Sequence, residues 1–259
     1  MLATVNDLVE LLEELMPSSL AEDWDNVGLM LGRRAKTVKK ILLALDLTKE
    51  VVEQAIAQKT DLIITHHPVI FKKLKCVVDN DWQQDLLLTL AENGIAVYSA
   101  HTNLDCVSAG VNDVLAKLLR LEDIETLDDS NSLGRIGTVA KASLADYALL
   151  VKEALRADYL AVGDAGRAVH RVAVCGGAGS DLIKIALAKG ADTLVTGDVK
   201  YHSAQEAVFS GLNIIDAGHQ PTELPVLDKL ADRLSLRLAE REIDAVVNVA
   251  KESLLLRHV

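Results

Sequence analysis

The sequence predicts an α/β protein built as two similar doubly wound α/β domains related by internal duplication. Three observations lead there: an aliphatic composition, alternating strand and helix patterns, and an internal repeat. Half of the 259 residues are hydrophobic, yet only 3% are aromatic. The core must therefore come from Leu, Val, Ile and Ala, a mix suited to buried parallel strands under Ala/Leu-rich helices. A chain of this length can bury two modest cores or one large one.

Periodicity at the N-terminus predicts a helix from Val5 to Met16, ended by Pro17. EDWDNVGLMLG (Glu22 to Gly32) reads as a turn and a short strand. KKILLALD (39–46) is a strand, TKEVVEQAIAQK (48–59) a helix capped by Thr48, and DLIITHHP (61–68) a strand stopped by proline. A helix around Trp82 to Glu92, a glycine stop at Gly94 and the strand IAVYSAHTNLD follow. A further helix, Gly110 to Leu119, leads into an acidic linker from Glu122 to Asp129.

The second half repeats the first. VHRVAVCGGAGSDLIKIALAKGADTLVTGD from Val169 aligns without a gap on VKKILLALDLTKEVVEQAIAQKTDLIITHH from Val38, a shift of 131 positions. Asp61 falls on Asp192 and Thr65 on Thr196. Further on, at a shift of 118, His101 falls on His219 and Asp105 on Glu223. The expected division is a first domain over 1–127, a second over 128–218, and a closing helix and strand over 219–259 that cross back toward the first. Strand–helix–strand repeats imply parallel strands with right-handed crossovers, and ligands gather at the carboxyl ends of such strands.

A formal net charge of −11 argues against a nucleic-acid surface, which needs clustered Lys and Arg. The cluster Arg33, Arg34, Lys36, Lys39 and Lys40 is a local exception. The first helix is acidic and amphipathic, no apolar run reaches about 18 residues, and the cysteines (Cys76, Cys106, Cys175) form no CxxC pair. These features point to a cytoplasmic protein without a membrane span.

The candidate ligands sit at strand ends. His66 and His67 follow DLIIT; where the chain turns under Pro68 both rings can reach one cleft, although a satisfied pair of surface histidines reads the same way. His101 and Asp105 are four apart, hence on one face if a helix starts there; Asp105 could also be a helix cap. His219 and Glu223 repeat that spacing. Six nitrogen and oxygen ligands exceed the three plus an open position of a catalytic zinc. Two divalent ions about 3.5–4 Å apart would use them all, with Asp105 or Glu223 as the bridge. With no thiolate, Zn, Fe, Mn, Co or Ni are all compatible. The metal site is expected in the cleft between the domains.

Other residues have two readings. Asp198 suits a general base or an acceptor behind a ligand, or simply a helix N-cap before KYHSAQEAV. Lys200, Tyr201 and His202 could meet an anionic substrate. CGGAGS (175–180) looks like a phosphate-binding turn but lacks the established spacings. Trp24 and Asp25 could line the cleft or seat the first helix. His170 and His258 read as surface residues.

WDNVGL (24–29), THHP, SAHTNLD and AGHQPTE, in this order over nearly the whole chain, resemble the Nif-three-like family. Its members are also called GTP cyclohydrolase I type 2 homologues or dinuclear-metal-centre hexameric proteins. The resemblance implies a pair of metal ions held by His66, His67, His101, Asp105, His219 and Glu223, and a ring-shaped homohexamer. The length fits the compact form without an inserted domain. The function expected is a metal-dependent hydrolase of a small nucleotide-type molecule, GTP if the family label holds, with a phosphoester equally compatible with the ligands; the acidic balance disfavours nucleic acid as a partner, and no membrane is expected. The alternative is a non-enzymatic ring-forming scaffold or metal-handling protein.

Overall fold

The computed structural model describes residues 2–255; His258 lies outside the described residues. The chain forms two compact units, one built on Met1–Val107 with Leu227–Ser253, the other on Ser108–Val226. The first unit opens with β1 (Ala3–Thr4), α1 (Val5–Leu15), β2 (Gly28–Leu31), β3 (Thr37–Val38), β4 (Lys40–Ala44), α2 (Lys49–Gln58), β5 (Leu62–Thr65), α3 (Trp82–Glu92), β6 (Ala96–Ser99) and α4 (Thr102–Cys106). The second contains α5 (Val111–Leu118), β7 (Glu122–Asp128), β8 (Leu133–Ala142), α6 (Leu144–Leu155), β9 (Ala161–Gly163), β10 (Val169–Ala178), α7 (Ile183–Ala188), β11 (Thr193–Gly197), α8 (Tyr201–Phe209), β12 (Asn213–Asp216) and α9 (His219–Glu223). The chain ends with α10 (Pro225–Glu240) and β13 (Val246–Val249).

Caps fix several helix starts. Thr4 and Asp7 form a reciprocal capping box on α1, Thr48 accepts from the Val51 amide on α2, and Asp81 accepts from Gln83 and Gln84 on α3.

In the first unit the sheet order is β13-β4-β5-β6-β2, parallel from β13 to β6 with β2 antiparallel at the edge. Leu42, Ala44, Ile63 and Val97 bury one face together with residues of α2 and α3. Neighbouring strand residues point the other way, and there Tyr98 donates from its hydroxyl to Glu13 of α1 at 3.1 Å. Glu14 of α1 in turn accepts from Arg237 and Arg241 at the end of α10.

In the second unit the order is β7-β8-β10-β11-β12-β9; only β10, β11 and β12 are mutually parallel. Val172, Val174, Val195 and Ile215 face one core, while Ala173, Cys175, Leu194 and Ile214 face another. The sheet is thus covered on both sides, as near-continuous aliphatic strands require.

Two sequence expectations are corrected. Glu122–Asp129 is not a linker: it contributes β7, paired antiparallel with β8 through Glu125↔Ile136 and Asp128↔Leu133. Its charges mask an inner row in which Leu127 is fully buried. Secondly, the boundary falls near 107, not 127, because α5 packs on β8 and β10. At the other end, the return to the first unit begins within α10 at Leu227, so His219 and Glu223 stay with the second. Among the described residues no helix is long and apolar enough to cross a membrane.

The duplication is visible in hydrogen bonds. Asp61 accepts from the backbone amides of Lys39 and Lys40; Asp192 accepts from those of His170 and Arg171, each partner displaced by the same 131 positions. Each carboxylate ties the start of one parallel strand to the start of the next. Burial opposes the Asp61 charge, but the two amides and Lys36 outweigh it and hold its carboxyl below the usual range. Asp61→Ala and Asp192→Ala are each expected to cost about 1.5–3 kcal/mol, the range for hydrogen bonds to a charged group, measured by denaturant unfolding. For Asp61, whose folded pKa is depressed, the contribution is complete above the unfolded carboxylate value and vanishes as pH falls through the folded one. An unfolding midpoint unmoved by either substitution would refute the anchoring role.

Candidate metal centre

In the first unit, β5 ends at Thr65, and the chain continues through His66 and His67 while their amides still bond Ala44 and Leu45 carbonyls. Past the regular strand the two rings no longer diverge: their centroids are 4.9 Å apart. His101 arrives from the end of β6 as the residue before α4, its ring 5.2 Å from His66 and 5.6 Å from His67. One ligating atom from each of the three lies within 4.8 Å of the others. Asp105, one turn into α4, places Oδ1 3.7 Å from His66 Nε2. The expected helix face for His101 and Asp105 is therefore formed.

Each ring is held from behind. His66 Nδ1 lies 2.9 Å from the Ala100 carbonyl, His67 Nδ1 2.9 Å from Asp46 Oδ1, and His101 Nδ1 2.9 Å from Asp25 Oδ1. An oxygen acceptor at Nδ1 keeps the proton there and directs the lone pair of Nε2 outward, the usual arrangement behind a metal-ligating histidine. Asp25 is itself fixed by the Thr102 amide at 3.1 Å and hydroxyl at 2.5 Å. Burial works against its charge, yet the bonds from His101 and Thr102 prevail and hold its carboxyl well below the usual range. Behind Asp46, Glu252 accepts from the Leu45 and Asp46 amides; burial pushes its carboxyl up despite those bonds.

In the second unit, Gly218 (φ 84°) precedes α9. His219 Nε2 lies 3.2 Å from Glu223 Oε1, and His219 Nδ1 lies 2.7 Å from Asp198 Oδ2. Asp198 therefore does not cap α8, whose N-cap is Lys200; it supports a histidine, as Asp25 and Asp46 do. Lys200, Tyr201 and His202 stand exposed at the start of α8, and His170 is exposed as expected.

CGGAGS is not a phosphate turn. Its first residues complete β10, and a Cβ on Gly177 (φ 62°) would collide with Glu223 Oε1 and lie 3.1 Å from His219 Nε2. Glycine is what lets those two candidate ligand atoms rest on the strand.

The family model described as Duf34/NIF3 (NGG1p interacting factor 3) matches residues 3–253. The chain belongs to the Duf34/NIF3 family. It is 36% identical to a Clostridium perfringens protein named GTP cyclohydrolase 1 type 2 homolog, over 94% of this chain and 95% of that one. It is 37% identical to a Lactococcus lactis protein of the same name, over 89% and 91%. A crystal structure of a Staphylococcus aureus hypothetical protein superposes with a TM-score of 0.93 at 29% identity, covering 99% of both chains.

The Duf34/NIF3 chain has residues that fit a divalent ion. The first unit offers three imidazoles with fixed tautomers and a neighbouring carboxylate, the second an imidazole and a carboxylate, all borderline or hard donors without thiolate. Sequence reading had named these six residues as candidates. It missed Asp46, and it left Asp25 and Asp198 with two readings each. Only a carboxylate at the end of a strand or in a turn marks such partners, and many carboxylates occupy such places.

Proposed function

We propose that this Duf34/NIF3 chain is a dinuclear metal-dependent hydrolase. In this reading the metal ligands are His66, His67, His101 and Asp105 of the first unit, and His219 and Glu223 of the second. The observation that carries it is the fixing of all four candidate histidines at Nδ1 by an oxygen acceptor, which prepares four rings for ligation through Nε2. When bound, two divalent ions would lower the pKa of water and polarise the bond to be cleaved. The protein's own contribution is orientation: Asp25, Asp46 and Asp198 keep protons on Nδ1 and the rings in place. Asp198 is thus assigned as a positioning residue rather than a proton carrier.

The name of the relatives supports a nucleotide-type substrate, GTP first among them, opened at the purine ring with release of formate. The motif resemblance supports a homohexameric ring, and the absence of a CxxC pair supports a cytoplasmic site of action. Metal-loaded protein incubated with GTP is expected to release formate, while His67→Ala releases none above background. Formate at equal rates in both, or in neither, would sink the GTP version of this reading. Two bound ions in an inert protein would favour a scaffold or metal-handling role.

A further inference from the structure

Beside the histidine trio stand two large aromatic rings with no part in holding a metal. Trp24 is 61% exposed and Phe71 48% exposed, in a chain with just two Trp and two Phe. Their ring centroids are 6.0 Å apart with planes at 63°. Trp24 lies 6.1 Å from the His101 ring and Phe71 6.4 Å from it, both edge-on. The three rings therefore form a nearly equilateral corner, with His101 as one member and two aromatic walls open to solvent.

This corner is held in place before anything binds. Asp25, next to Trp24, is clamped by His101 and Thr102. Asn26 donates from its side chain to the Ile70 carbonyl, tying the Trp24 segment to the Phe71 segment. Both rings still turn a large part of their apolar surface to water, so rigidly presenting two of them suits a ligand that covers them. The occupant must be small. Two side chains of about 150–250 Å² each fall well short of the roughly 800 Å² per partner of a stable protein interface. It must also be flat, because one ring can stack on one wall while its edge meets the other, the geometry that aromatic quadrupoles favour.

We propose that Trp24 and Phe71 form a binding site for a planar heteroaromatic ring of nucleobase type, seated one ring's width from His101. The proposal rests on the hydrolase reading and deepens it by naming the class of group held next to the ligands. Stacking on an aromatic wall accepts any base, since each has a π-face; choice among bases would have to come from polar groups elsewhere.

Trp24 can report its own occupancy once the second tryptophan is removed. Trp82 is 71% exposed, so Trp82→Phe leaves a folded protein with a single indole. This variant, loaded with Zn(II) and checked for metal content, would be titrated with guanosine and, separately, with ribose 5-phosphate. Guanosine is expected to quench Trp24 saturably, while ribose 5-phosphate leaves the emission unchanged. Adding Phe71→Leu, which keeps apolar bulk but removes the ring, is expected to weaken the guanosine midpoint about tenfold, as loss of a stacking partner does. The proposal is overturned if metal-replete protein shows no saturable quenching, if the leucine variant binds guanosine equally well, or if emission responds only to protein concentration, which would place a second copy on the patch. Metal content is read independently. A protein that holds its ions but ignores guanosine sinks this inference alone, and one that binds guanosine without holding ions sinks the hydrolase reading on which it rests.

Discussion

Asp25→Asn is expected to bind Zn(II) about 10–100-fold more weakly than the parent, the usual penalty for losing the group behind a ligating histidine. The carboxylate accepts four bonds, from His101 Nδ1, from the Thr102 amide and hydroxyl, and from the Asn26 amide. An asparagine has one acceptor oxygen and a donor nitrogen in the same space. If the oxygen serves Thr102, the amide NH₂ faces His101 Nδ1, favours the opposite tautomer and moves the proton onto the ligating nitrogen. If the oxygen serves His101, Thr102 loses its acceptor at the start of α4, the helix that carries Asp105. Either way the trio loses a correctly presented ring. The Asp25 side chain is fully shielded from solvent, whereas Asp46 behind His67 is 35% exposed. Water can replace part of what Asp46 supplies, so Asp46→Asn is expected to show the smaller loss. Competition against a chelator, with circular dichroism to establish that the apo-protein remains folded, gives both affinities. Equal affinity for parent and Asp25→Asn, or a larger loss for Asp46→Asn, would contradict this account of the support.

Much of the fold was legible because its strands and helices are locally consistent. KKILLALD and DLIIT are continuous aliphatic runs between caps and glycine stops, and a buried parallel strand has no other simple reading. The segment Glu122–Asp128 was not legible, since its charges dominate composition while a few inward residues decide its pairing with β8. At the site, the six candidate ligands were legible because a histidine at a strand end with a carboxylate four residues on is uncommon. Their supports were not: Asp25 lies 76 residues from His101, and Asp46 lies 21 from His67. Such pairings come from tertiary structure and leave no local pattern.

The structure also explains why the second repeat lacks the His66–His67 pair. The strand ladders match at a shift of 117, with Leu62↔Ala96 in one repeat and Thr193↔Asn213 in the other, while the histidines match at 118. The extra residue is Gly218, between Ala217 and His219. A Cβ at Gly197, the position equivalent to His66, would lie 2.6 Å from Gly218 C and His219 N. The added residue thus routes the backbone through the space a His66 side chain would need, and only glycine is compatible there. Asp198, equivalent to His67, turns to supporting His219. Where the first repeat carries the histidine pair, the second carries a close backbone approach.

Gly177 gives a second close approach, and Gly177→Ala is expected to weaken the affinity contributed by His219 and Glu223 by at least the about 10–100-fold of a lost supporting group. Two effects must be separated. At φ 62° an L-residue costs about 1–2 kcal/mol through its own backbone. The new methyl must also displace Glu223 Oε1 and His219 Nε2, the atoms offered for ligation. Glu223 is almost fully buried, so its carboxylate has little room to retreat. Gly190 supplies the control: it has φ 78°, yet a Cβ added there would meet nothing within 4 Å. Gly190→Ala is therefore expected to lose similar folding stability while leaving Zn(II) affinity at the parental value. Unfolding curves and chelator competition on both variants resolve the two costs. Parallel losses of stability with unchanged metal affinity in both would show that Gly177 serves the β10 backbone alone.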